Sequence, residues 1–140
     1  MPLRVIDVLL QEMQTLANQH RYQEALQKGR TSLAMLPADE VNKRAFVFYN
    51  MGTIYTNLGQ YAEAETQYAE AVRGIARDSE LWYNRSFNQS QWAEEAKGLG
   101  DFTGSRVHFQ QALEDALEGQ RLNPNDDDIR QLIALLRRSM

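Results

Sequence analysis

His20 and His108 are the two histidines, and they fall in different segments of the chain. A lone surface imidazole is ordinarily a bystander, so neither reads as a general acid or base. Asp126-Asp127-Asp128 lacks the Gly and the distal Glu of a calcium loop and reads instead as the acidic start of a helix. Gly98 and Gly100 flank a turn with no following Lys, so they do not form a phosphate cradle. There is no cysteine, which excludes disulfides, thiolate zinc sites and a cysteine nucleophile, and fits a reducing compartment. No catalytic set assembles, and neither metal nor cofactor is expected. The chemistry that remains is noncovalent recognition. Phe46, Tyr49, Asn50 and Thr53, and later Tyr83, Asn84, Phe87 and Gln91, combine aromatic rings with carboxamides on helical faces, and Leu10 and Gln14 extend the uncharged set. Such a surface suits an apolar peptide or a helix whose backbone the amides bind. The competing reading is that some rings pack between neighbouring elements, evenly balanced for Tyr49 and Tyr83 and weaker for Phe46 and Phe87.

The elements that must carry these side chains are helices. Three Pro, eight Gly and few β-branched runs favour helix nearly throughout. Phe48, Met51, Gly52 and Tyr55 form one helical stripe, and Tyr61, Ala64, Tyr68 and Ala71 another, with Asn57 to Gln60 as the turn between them. Gly52 and Ala64 let two backbones approach while the tyrosines fill the seams. Residues 45–78 thereby resemble the tetratricopeptide repeat, a helical hairpin of about 34 residues. The resemblance implies an all-α fold, a right-handed α-solenoid in which the first helix of each hairpin lines a concave face. The concave set is then Leu10, Gln14, Ala17, Phe46, Tyr49, Asn50, Thr53, Tyr83, Asn84, Phe87 and Gln91.

Three hairpins fit the chain, at about 6–39, 45–78 and 79–125, with a capping helix over 126–138, all within one domain. In the first, residues 3–19 place Ile6, Leu9, Met13 and Leu16 on one face, and 22–36 form the partner helix, stopped by Pro37. Tyr22 and Tyr61 are 39 residues apart, so the helix between them should start about one turn early, capped by Asp39. In the third hairpin Phe109 stands 27 residues after Trp82, where Tyr61 stands 13 after Phe48, an insertion of 14. Shared between two helices, that lengthens each by about two turns or roughly 10 Å. Trp92, Ala93, Ala96 and Phe102 are placed to zip the projection together. Leu132, Ile133, Leu135 and Leu136 should seat the capping helix. Arg85 sits where the repeat normally buries Leu. Snorkelling with its charge in solvent is the favoured expectation, and an ion pair with Glu114 or Asp115 the alternative.

A formal charge of −4 gives no broad reason to bind nucleic acid. No apolar run approaches the roughly 20 residues that span a bilayer, and the start lacks the form of a secretory signal, so a soluble chain is expected, with any membrane contact peripheral. Leu3, Val5, Val8 and Leu10 lie off the packing stripe of the first helix and suggest self-association or a second contact, as do Trp92 and Phe102 on the projection.

The lengthened hairpin, Trp82 to Pro124 with Gly100-Asp101 at its turn, is similar to the third repeat of the three-repeat photosystem I assembly proteins of cyanobacteria and chloroplasts. Arg44, Tyr49-Asn50, Gly52, Ile54, Thr56 and Gly59 resemble their central repeat, and the likeness spans roughly 22–124. Arg85 and Gln89 replace aliphatic or small residues of that family. The resemblance implies a non-enzymatic assembly factor or chaperone for a photosynthetic membrane complex, in the cytoplasm or at the stromal or cytoplasmic face of the thylakoid. A general adaptor in a soluble bacterial complex is the alternative. Repeat proteins that clamp a chaperone's C-terminal carboxylate use Lys, Asn and Arg at set places. Here Asn50 matches, while the cations are replaced by Leu10, Glu80 and Asn84.

Overall fold

The computed structural model describes residues 2–140, with side chains from residue 4 onward. Among the described residues there are seven helices and no strand: α1 Pro2–Asn18, α2 Tyr22–Met35, α3 Val41–Asn57, α4 Tyr61–Ile75, α5 Ser79–Gly98, α6 Phe102–Leu122 and α7 Asp127–Ser139. They fall into two compact units, α1 to α4 ending at Ile75 and α5 to α7 beginning at Ala76.

The first unit is two helical hairpins. Ile6 and Met13 of α1, Ala25 and Leu26 of α2, and Val47, Met51 and Ile54 of α3 form its buried core. Leu10 packs against this core, so it is less available to a ligand than its assignment to the concave set implies. Small residues set the spacing between helices. A Cβ on Gly29 would lie 2.8 Å from Met51 Sδ, and one on Gly52 would lie 2.8 Å from the Tyr68 ring. The tightest approach, at Gly74, escaped the sequence reading: a Cβ there would stand 2.6 Å from both the Val41 carbonyl oxygen and Ala45 Cβ. Gly59 turns the α3–α4 hairpin at φ +74°, a conformation that costs glycine nothing. α3 starts one turn before Ala45 as expected, but its cap position is Glu40, which makes no side-chain capping bond; Asp39 lies in the preceding turn. Arg44 has a role instead, donating to the Leu33 and Leu36 carbonyls at 2.9 and 3.1 Å and satisfying the end of α2.

The second unit is the long hairpin and its cap. α5 has 20 residues and α6 has 21, against 17 and 15 in α3 and α4. The lengthening is unequal because α3 is itself extended. Asp78, Asp101 and Asp126 cap α5, α6 and α7, accepting from the Glu80, Gly104 and Asp128 backbone N–H groups at 3.0, 2.9 and 2.9 Å. Ala93, Phe109, Ala112 and Ala116 form the core with Ile129, Leu132, Ile133 and Leu136 of α7. Leu135 does not join them; it is 52% exposed. The inward residues of α7 follow positions i, i+3, i+4 and i+7 from Ile129, and Leu135 falls between the rows.

The interior of this hairpin is unusually polar. Ser86, Asn88, Gln89, Ser105 and Asp115 are buried. Ser86 Oγ donates across the hairpin to the Ala112 carbonyl at 2.7 Å, and Gln89 Oε1 meets His108 Nδ1 at 2.8 Å. Trp92 stacks on His108 with ring centroids 3.9 Å apart, so His108 is an interior linker rather than a surface bystander. Ala93 and Ala96 zip the projection as expected, but Phe102 does not: it is 64% exposed. Arg85 departs from the favoured expectation as well. Its Nε lies 3.7 Å from Asp115 Oδ2, with the two side chains 17% and 3% exposed, and its guanidinium carbon is 5.7 Å from the Trp82 ring centroid. The ion pair, not the snorkel, is what forms, because Asp115 on the facing helix α6 is buried and offers a carboxylate at that level.

Candidate functional site

In the first unit α1 and α3 enclose a cleft of about 290 Å³. Its floor is Met13, Ala17 and Ile54, and its walls carry Gln14, Asn18, Asn50, Thr53 and Asn57. Four carboxamides and a hydroxyl therefore surround an apolar base, with no charged side chain in the lining. Each carboxamide both donates and accepts, the pattern a peptide backbone presents in return. Helical spacing brings them together: Gln14 and Asn18 are four residues apart on α1, and Asn50, Thr53 and Asn57 are three and four apart on α3.

Of the sequence candidates, Gln14, Ala17, Asn50 and Thr53 meet here. Asn18 and Asn57 were missed because each ends its helix and reads as turn chemistry, although the i, i+4 spacing from Gln14 and Thr53 signals them. Asn50 Nδ2 donates to the Phe46 carbonyl at 2.8 Å, which steadies the amide and commits part of its donor capacity. Thr53 Oγ1 lies 3.3 Å from the Tyr49 carbonyl, to which it donates, and 3.1 Å from the Tyr68 hydroxyl. Tyr49 bridges two rings, with centroids 6.4 Å from Phe46 and 6.3 Å from Tyr68. Phe46 itself is 38% exposed.

The second unit carries the remaining candidates by itself. Tyr83 is half-buried and packs against the Phe109 and Ile129 cluster. Phe87 is 40% exposed, and Asn84 and Gln91 are half-buried. Val5 and Val8 on α1 are exposed; the side chain of Leu3 lies outside the described residues. Among the described residues no group of His, Cys, Asp or Glu could hold a metal ion, and no helix is long and apolar enough to cross a membrane.

Behind Thr53, burial pushes the Tyr68 phenol above its ordinary value, opposed by its side-chain hydrogen bonds with Thr53 and Thr56. The folded chain thus holds this proton more tightly than the unfolded chain. Its contribution to stability is intact below about pH 10 and is lost as pH rises through the elevated pKa. Tyr68→Phe should flatten the fall in melting temperature on the alkaline side while costing about 1 kcal/mol at neutral pH from the lost hydroxyl contact. An alkaline profile identical to that of the unaltered chain would show that another group controls it.

Residues 48–77 match the family described as Tetratricopeptide repeat. Two solved structures share the arrangement over nearly the whole chain. The first tetratricopeptide domain of Spaghetti (RPAP3), bound to the HSP90 peptide SRMEEVD, superposes with a TM-score of 0.76 at 17% identity, covering 96% of this chain and 91% of that one. The chain has the tetratricopeptide-repeat fold. The Arabidopsis OM64 tetratricopeptide domain superposes with a TM-score of 0.76 at 13% identity, with all of both chains covered. No curated protein matches the sequence. The all-α helical-repeat fold expected from residues 45–78 is thus the fold found, and these likenesses carry fold alone.

Proposed function

We propose that this tetratricopeptide-fold chain is a non-enzymatic protein-binding scaffold whose α1–α3 cleft takes an uncharged peptide or helical segment through its backbone. The observation that carries this reading is the ring of Gln14, Asn18, Asn50 and Asn57 over Met13, Ala17 and Ile54 without a charged group. The Spaghetti domain is described with a peptide ending in Glu-Glu-Val-Asp. An acidic terminus of that kind requires cations at its binding site, and this cleft has none. Titration with SRMEEVD should therefore give no saturable signal that Asn50→Leu removes. Saturable binding of that peptide, abolished by Asn50→Leu, would overturn the neutral-backbone reading.

The partner we favour is a subunit or intermediate of a photosynthetic membrane complex such as photosystem I, met at the cytoplasmic or stromal face of the thylakoid. The feature supporting it is the long α5–α6 hairpin with Gly100-Asp101 at its turn. Co-purification from source cells should recover photosystem subunits with the unaltered chain. Phe46→Ala should lose them at a cost of about 2 kcal/mol, typical of an interface anchor, with helical content unchanged because Phe46 is exposed. Recovery of soluble complexes alone would favour a general adaptor instead.

A further inference from the structure

The free end of the α5–α6 hairpin and the last residues of α7 enclose a second, smaller pocket of about 170 Å³. Phe109 and Ser105 form its buried floor; Phe102, Met140, Lys97 and Arg106 form its rim. Leu99, at the turn, is among the most exposed large apolar side chains of the chain. Arg137 and Arg138, in the last turn of α7, stand just before the pocket-lining Ser139 and Met140. In a chain of formal charge −4, cations thus gather around a hollow of mixed lining, in which Phe102, Phe109 and Met140 stand beside Ser105 and Ser139.

Helix electrostatics accounts for only part of this. Lys97, Arg137 and Arg138 lie in the last turns of their helices, where the macrodipole favours cations. Arg106 lies just past the first turn of α6, the end at which a cation gains nothing from the dipole. The nearby Asp101 carboxylate is occupied in capping, accepting from Gly104 N–H. Phe102 likewise does not serve the hairpin, since its ring stays in solvent beside the pocket.

We infer that this pocket docks an acidic peptide segment in which one large apolar side chain is flanked by carboxylates. The hollow is smaller than the roughly 300 Å³ at which small-molecule sites begin, and suits a single side chain. The apolar anchor enters between Phe102 and Met140 against Phe109, and the flanking carboxylates meet Lys97 and Arg106. A lipid surface would engage the protruding Leu99 and Phe102 but would leave the concavity unfilled. The net negative charge elsewhere steers an acidic ligand toward this end, an effect that salt screens. The site shares no residue with the α1–α3 cleft, so it stands whether or not that cleft binds a neutral segment.

The test is selection of a displayed random linear peptide library on the whole chain, followed by fluorescence polarisation with the selected peptide. The expected consensus is a Leu, Phe or Met between Asp or Glu residues, with affinity falling as salt is raised. Lys97→Glu with Arg106→Glu should weaken binding at least about tenfold, Phe102→Ala should weaken it likewise, and Asn50→Leu should leave it unchanged. All three pocket residues are exposed, and circular dichroism checks that the variants fold. A selection that yields no acidic peptide, or equal binding of the acidic peptide by the charge-reversed variant, would each overturn the inference. So would binding to phosphatidylserine vesicles through Lys97 and Arg106 without peptide binding, which would assign the patch to a membrane surface.

Discussion

Arg85→Leu should lower the unfolding free energy by about 3 kcal/mol, and adding Asp115→Leu should restore most of that loss. Asp115 is 3% exposed, and Gln111 Nε2 donates to its other oxygen at 3.2 Å. Removing the guanidinium leaves the carboxylate in the hairpin interior without the cation 3.7 Å away. Breaking a buried pair from one side costs about 3–5 kcal/mol, whereas replacing both partners with apolar residues is often neutral or stabilising. The lower end of that range applies because Arg85 retains some exposure and the pair is longer than a direct hydrogen bond. Urea denaturation of the two single variants and the double variant, read as a cycle, measures the coupling. If Arg85→Leu stays within about 0.5 kcal/mol of the unaltered chain, as surface substitutions do, the pair contributes nothing and Arg85 is effectively solvated.

Gly74→Ala should destabilise the first unit by about 2–3 kcal/mol, and Gly98→Ala should raise stability by about 0.5 kcal/mol. Both residues are in helices, so the helical preference for Ala acts alike at each. The difference is what the added methyl meets. At Gly74 it meets the Val41 carbonyl oxygen and Ala45 Cβ at 2.6 Å, neither of which is the far end of a flexible side chain, so α3 and α4 must separate. At Gly98 it meets nothing within 4 Å. Thermal melts of the two variants give opposite signs; equal shifts would mean that α4 slides past α3 without cost.

The placement of the helices, the turns at Gly59 and Gly100, the stop at Pro37 and the acidic start of α7 were legible in the residues alone. Each depends on chain-local physics: apolar period, the freedom of glycine at positive φ, the fixed geometry of proline and the dipole of a helix end. The acidic start was nonetheless read as charge alone, where Asp126 also caps α7 through backbone N–H groups. For the recognition surface, the sequence supplied Gln14, Ala17, Asn50 and Thr53 but not Asn18 and Asn57, whose place depends on how α1 and α3 approach each other.

Tertiary structure decided the rest. It turned Tyr83 onto a core and left Phe87 exposed, paired Arg85 with Asp115, exposed Phe102 and Leu135, and made Gly74 a close approach of α3 and α4. A helical pattern states which residues share a face; it does not state the distance to the next helix or what that helix offers at the same level. Side chains such as Arg85, Phe102 and Gly74 take their meaning from those distances, which arise only when the helices pack.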